Sequence, residues 1–253
     1  MSLEPWQWLL AVVAAFLVGV SKTGIAGLGM LFVSVFAMIM PAKQASGFVL
    51  PLLIFGDLVA VAAYRRHAQW SYLWRLFPWT GAGVIIGWLA MDLINDRQAR
   101  LMVGLIVLVL LALHFLRRWQ TRRHAQTSAA STAQHGPWFA PTVGVLAGFT
   151  TLVSNAAGPL MAIYLIAMRL PKMQFVGTSA VFFLLLNCFK VPFMTHLGLI
   201  TPQSITFNFL LAPAVLGGAL IGRWILPRIN QTLFEFLALG LSGLAALKLL
   251  GLF

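Results

Sequence analysis

Apolar runs broken by short polar or glycine-rich stretches fill the chain, at about 6–20, 25–40, 45–64, 73–91 and 99–116, and again at about 138–153, 156–168, 175–195, 205–226 and 232–253. Runs of this length predict helices, and the third, fourth and fifth of each set approach the ~20 residues that cross a bilayer. The first two of each set are shorter. Between the sets lies RRWQTRRHAQTSAASTAQHG, whose Ala, Ser, Thr and Gln and lack of an apolar period predict a solvated linker. The chain is therefore read as a first membrane repeat at 1–116, a linker at 117–137 and a second repeat at 138–253.

The two sets also carry the same punctuation. Pro41 and Pro171, Gly47 and Gly177, and Asp57 and Asn187 are each offset by 130, whereas Pro78 and Pro213, Gly83 and Gly218, Gly87 and Gly222, and Asn95 and Asn230 are offset by 135. One five-residue insertion reconciles the two offsets, and a shared Pro and Gly pattern over most of both halves predicts an internal repeat.

Composition sets the medium. With 60% of its 253 residues hydrophobic and 9% charged, the chain has too little polar surface for a soluble domain of this size. A net charge of +12 would raise nucleic-acid binding in a soluble protein. Here the basic residues cluster in short loops, as the positive-inside rule requires, so the charge reports orientation and no nucleic-acid partner is expected. The amino end has Glu4 and no basic n-region, so no cleavable signal peptide is expected. Cys188 is the only cysteine, which leaves no intramolecular disulfide; packing in its apolar run is its expected role.

If Arg117, Arg118, Arg122 and Arg123 place the linker in the cytoplasm, counting spans puts Arg65, Arg66, Arg75, Arg169, Lys172, Arg223 and Arg228 inside as well. The inside loops then hold 11 basic residues against 3 outside, Lys43, Arg97 and Arg100. Each half crosses an odd number of times, so the halves run in opposite senses with both termini periplasmic. The predicted fold is an all-α integral membrane protein of two inverted-topology repeats. Each repeat has a broken-helix or re-entrant pair plus three spanning helices, 8–10 membrane segments in all.

Candidate chemistry lies first at the interruptions between the short segments, GVSKTGIAGLG (19–29) and GFTTLVSNAAGP (148–159). Unpaired backbone in hydrocarbon costs several kcal/mol per group, so such breaks belong inside protein or beside a cavity. Helix amino ends at such breaks point positive dipoles toward anions. Ser21, Lys22, Thr23, Thr150, Thr151, Ser154 and Asn155 supply donors suited to an oxyanion. Close packing of small residues is the plainer alternative. Asp57 and Lys190 lie mid-segment, where an unpaired charge costs ~2.5–3.5 kcal/mol. Either they bridge the halves as an ion pair, or Lys190 attracts an anion while Asp57 carries a proton. Asn187, at the place equivalent to Asp57, is read as a site ligand or an interhelical hydrogen bond. Trp6, Trp8, Trp70, Trp74 and Trp138 are expected at the membrane interface. The scattered histidines do not suggest a metal site, and no cofactor is expected.

The two-repeat layout, with GVSKTGIAGLG in one half and GFTTLVSNAAGPLMAIYLIAMRLPK followed by FVGTSAVFFLLLN in the other, resembles the sulfite exporter TauE/SafE family of bacterial membrane permeases. The resemblance covers nearly the whole chain. It implies inner-membrane transport, with export as the family expectation, of sulfur-containing anions such as sulfite, sulfoacetate or related organosulfonates. The residues themselves supply only an anion site and a transporter plan. The functional expectation is secondary transport without ATP, since no Walker-type loop occurs, with protons as a candidate coupling ion and the oligomeric state open. An anion channel uses the same basic site. A membrane-embedded enzyme is disfavoured because no paired-carboxylate, His-rich or Ser/His constellation lies in the segments.

Overall fold

The computed structural model describes residues 4–24, 28, 32, 35, 36, 42–124 and 136–252, apart from the side chains of 42, 43, 96, 117, 118 and 120–124. The described residues form helices and turns with no strand. In chain order the helices are α1 (Pro5–Thr23), α2 (Ala42–Phe48), α3 (Leu50–Tyr64), α4 (Trp70–Ala90), α5 (Asp96–His124), α6 (Phe139–Ser154), α7 (Ala157–Ala167), α8 (Lys172–His196), α9 (Pro202–Ile225) and α10 (Gln231–Leu249). Five stretches are long and apolar enough to span a bilayer: α1, residues 97–116 of α5, α8, residues 202–228 and α10. Together they make this a multi-pass membrane protein. The second apolar run, 25–40, lies mostly outside the described residues, though Phe32 and Phe36 of that run are buried. Linker residues 125–135 also lie outside them.

Two local expectations change. α1 has 19 residues and is not a short segment, because the helix continues through Gly19, Ser21 and Lys22 before it ends at Gly24. α5 runs past the end of the apolar run at Leu116 to His124, so the polar stretch begins as helix. Arg and Gln are good helix formers, and cations suit a helix carboxyl end. Of the five tryptophans expected at the interface, Trp6, Trp70, Trp74 and Trp138 are exposed, and Trp8 is half-buried with its ring 5.0 Å from that of Phe207.

Contacts between the halves are reciprocal. α1 packs along α9, α6 along α4, α3 against α8, and α5 against α10. Close crossings use glycines four apart, Gly144 and Gly148 on α6 against α4 with its Gly83 and Gly87, and Gly218 and Gly222 on α9 against α1 with its Gly19. Lipid tails are as apolar as leucine side chains, so helices in a membrane gain by close backbone approach, which small residues permit. A Cβ on Gly148 would stand 2.0 Å from Thr80 O, and one on Gly19 2.0 Å from Val215 O. A Cβ on Gly83 would stand 2.1 Å from Val145 O, and one on Gly218 2.0 Å from Phe16 O. Thr80 and Val215 are offset by 135, and Phe16 and Val145 by 129, so both crossings are built from corresponding residues. Gly47 and Gly177 likewise each meet the turn after the third apolar run of the other half, at Leu199 and at Tyr64 to Ala68.

Candidate functional site

α6 and α7 are separated by two residues. Asn155 takes a left-handed conformation (φ 53°), which asparagine tolerates better than most residues. Its N–H bonds Thr151 O at 2.9 Å, and that of Ala156 bonds Thr150 O at 3.3 Å, which closes the end of α6. α7 then starts afresh at Ala157, and the N–H groups of its first turn have no intrahelical acceptor. Gly158 and Pro159 in that turn line a cavity of about 70 Å³. By the same kind of measure one water needs ~10–15 Å³, so a small anion fits. A Cβ on Gly158 would meet none of the described residues within 4 Å, so this backbone is open to an occupant.

Across the cavity stands the last turn of α1, which contributes Ser21 and Lys22. The Lys22 ammonium lies 2.6 Å from Asp57 Oδ1 and 4.5 Å from the centre of the Phe183 ring, where the face of the ring attracts a cation. Asp57, on α3, is fully buried, and its Oδ2 accepts a hydrogen bond from Asn187 Nδ2 at 2.6 Å. Asn187 is the residue that corresponds to Asp57, so α3 and α8 meet at equivalent positions.

The expected Asp57 to Lys190 bridge is therefore wrong. Lys190 is fully buried, but its ammonium donates to Asn155 Oδ1 at 2.5 Å and to Thr151 Oγ1 at 3.4 Å. On α8, Asn187 already faces Asp57, and Lys190, three residues on, reaches toward the end of α6. Lys22 takes the carboxylate from the other side. Among the described residues this is the one ion pair within 4.0 Å.

Of the predicted site residues, Ser21, Lys22, Thr151, Asn155 and Asn187 line one cavity. Lys190 and Asp57 stand directly behind that lining, each bonded to residues in it. Thr23, Thr150 and Ser154 do not line it, because their hydroxyls bond carbonyls of the fold. Thr23 donates to Ala219 O at 2.8 Å, Thr150 to Ala147 O at 3.3 Å and Ser154 to Thr150 O at 3.4 Å. Asn155 is also partly committed, since its Nδ2 donates to Ser46 O at 2.9 Å. Cys188 is exposed and not packed inside, because it follows Asn187 on α8 and points away from it.

Ser179 and Phe183 are among the lining residues that the sequence reading did not single out. They precede Asn187 by eight and four residues, so all three share one stripe of α8. The Ser179 hydroxyl is buried with no hydrogen-bond partner among the described residues, although Thr80 and Ser242 in comparable helices bond carbonyls one turn back. The fourfold spacing was the available signal.

The cavity thus brings together two lysine amines, one carboxylate, a helix amino end and neutral donors. The chain has only five acidic residues, and Glu4, Asp92, Asp96 and Glu235 all lie at helix ends. No group of three His, Cys, Asp or Glu side chains among the described residues could hold a metal. The arrangement can neutralise and hydrogen-bond a small anion.

A family model described as Sulfite exporter TauE/SafE matches residues 11–249. Neither the curated proteins nor the solved structures gave a match.

Proposed function

We propose, starting from the fact that this chain belongs to the sulfite exporter TauE/SafE family, that it is a secondary transporter for a small sulfur-containing oxyanion such as sulfite, sulfoacetate or a related organosulfonate. The anion sits in the cavity between α1, the end of α6, the start of α7 and α8. The observation that carries this reading is the imbalance of charged groups there: the Lys22 and Lys190 amines and an open helix amino end stand against a single carboxylate, Asp57, which pairs with Lys22 alone. An anion in the cavity supplies the missing charge and the acceptor for Ser179. Charge buried in low dielectric is costly unless so compensated.

The reciprocal crossings of α1 with α9 and α6 with α4 support two inverted repeats, and the 11 to 3 bias of basic loop residues supports an odd number of crossings in each. On this plan, rocking of one repeat against the other opens the cavity to alternate sides of the inner membrane. The resting potential, negative inside, drives an anion outward, in keeping with export. The test is binding of sulfite under anoxic conditions, sulfate, thiosulfate, sulfoacetate and taurine to the purified chain, followed by flux in proteoliposomes. Saturable binding of a sulfur oxyanion, weakened in Ser179→Ala without loss of thermal stability, is expected. No binding by any of these compounds overturns the reading, and flux that does not saturate favours a channel.

A further inference from the structure

We infer that the Asp57 carboxylate is a tethered competitor of the transported anion: it holds Lys22 when the cavity is empty and keeps the affinity low enough for the anion to leave. The inference rests on the anion-transport reading and adds to it what sets the residence time.

Three observations carry it. Lys22 lines the cavity with its side chain 11% exposed, whereas Asp57 is fully buried behind it, so one ammonium stands between the cavity and a carboxylate. The second oxygen of Asp57 is held by Asn187, from the other half of the chain, at 2.6 Å. When the ammonium turns to an anion, Asp57 therefore keeps one partner and stays in place. It is a fixed negative charge a few ångströms beyond the bound ligand. Finally, the residues that correspond to Lys22 and Asp57 in the second half are the neutral Thr151 and Asn187, so the competing charge is present on one side of the site only.

The charged groups that act on Asp57 are Lys22 from α1 and Lys190 from α8, with Asn187 as the neutral donor. An anion on Lys22 is attracted by both amines and repelled by Asp57. Passage through a membrane protein requires binding strong enough for entry and weak enough for exit. A carboxylate on the same ammonium lowers the affinity without narrowing the cavity. If Asp57 served stability alone, its removal would leave the affinity unchanged or reduce it.

The experiment compares wild type, Asp57→Asn, Asn187→Asp, Lys22→Met and the Lys22→Met/Asp57→Asn double variant of the full chain. Calorimetric titration with sulfoacetate and with anoxic sulfite gives affinity, and counterflow in proteoliposomes gives exchange rate. Asp57→Asn is expected to bind at least ~10-fold more tightly, as removal of one nearby charge predicts, and to exchange more slowly. Asn187→Asp, which adds a second carboxylate at the pair, is expected to weaken binding. The gain from Asp57→Asn should disappear in the Lys22→Met background. Unchanged or weaker binding by a folded Asp57→Asn overturns the inference while leaving the transport reading intact. Absence of binding by wild type removes both. Where Asp57→Asn resists extraction, half-saturation of exchange in native membrane vesicles makes the same comparison, and failure of Asn187→Asp to weaken binding also overturns the inference.

Discussion

Lys190 gives its ammonium protons to Asn155 and Thr151, two neutral partners, from a fully buried position on α8. Burial of an amine without a carboxylate is costly, and an apolar side chain of similar volume at such a place is often neutral or stabilising by ~1–4 kcal/mol. Lys190→Met is therefore expected to leave thermal stability unchanged or raised while it weakens anion binding tenfold or more. A variant with a lowered thermal midpoint whose folded fraction keeps wild-type affinity would show that Lys190 ties helices together and does not act on the anion. The sequence marked Lys190 and Asp57 as costly charges because depth in an apolar run is legible from position. It did not reveal their partners. A shift of three residues along α8 turns a side chain to a different neighbour, and only the rotation of packed helices fixes which neighbour that is.

Among the elements, the contrast between Gly148 and Gly158 separates packing from binding. Gly148 lies where α6 crosses α4, and an added Cβ there would be 2.0 Å from Thr80 O and 2.7 Å from Val84 N, both backbone atoms that have nowhere to move. Overpacking of this kind costs roughly 1–3 kcal/mol or more. Gly148→Ala should lower the thermal midpoint or the yield of folded protein, with the remaining fraction binding normally. Gly158 faces the cavity with none of the described residues within 4 Å of an added Cβ, and alanine is the better helix former. Gly158→Ala should keep or improve stability and weaken anion binding by several-fold. Equal thermal shifts for the two variants, measured by fluorescence-monitored melting, would count against this division. Both glycines look alike as letters in one broken motif.

On the scale of the whole molecule, the proposed opposite orientation of the two halves predicts that both termini face the periplasm and the linker the cytoplasm. Because Cys188 is exposed, the labelling test needs a Cys188→Ser background. A cysteine at Gln126 should then resist a membrane-impermeant maleimide in intact cells and react after lysis, while one at Ser2 should react in spheroplasts. Ready reaction at Gln126 from outside would reverse the topology. The proposed plan also accounts for the correspondence between the two crossings, α1 with α9 and α6 with α4: two copies of one unit, turned over, would present the same faces to each other.

Membrane class, helical content and the position of most helices were carried by the sequence, because each depends on local runs of apolar residues. The same holds for Lys22, Asn155 and Asn187 as members of one cavity, since a polar residue in an apolar run has few places to go. The ends of α1 and α5 were not legible, because the helix continues wherever its backbone bonds can be made, whatever the side-chain polarity. Nor was the ion pair of Lys22 with Asp57. The tertiary structure alone decided it, along with the retirement of Thr23, Thr150 and Ser154 into backbone hydrogen bonds and the hydroxyl of Ser179 left unpaired among the described residues, because each depends on which faces of distant helices meet and sequence spacing along one helix does not encode that.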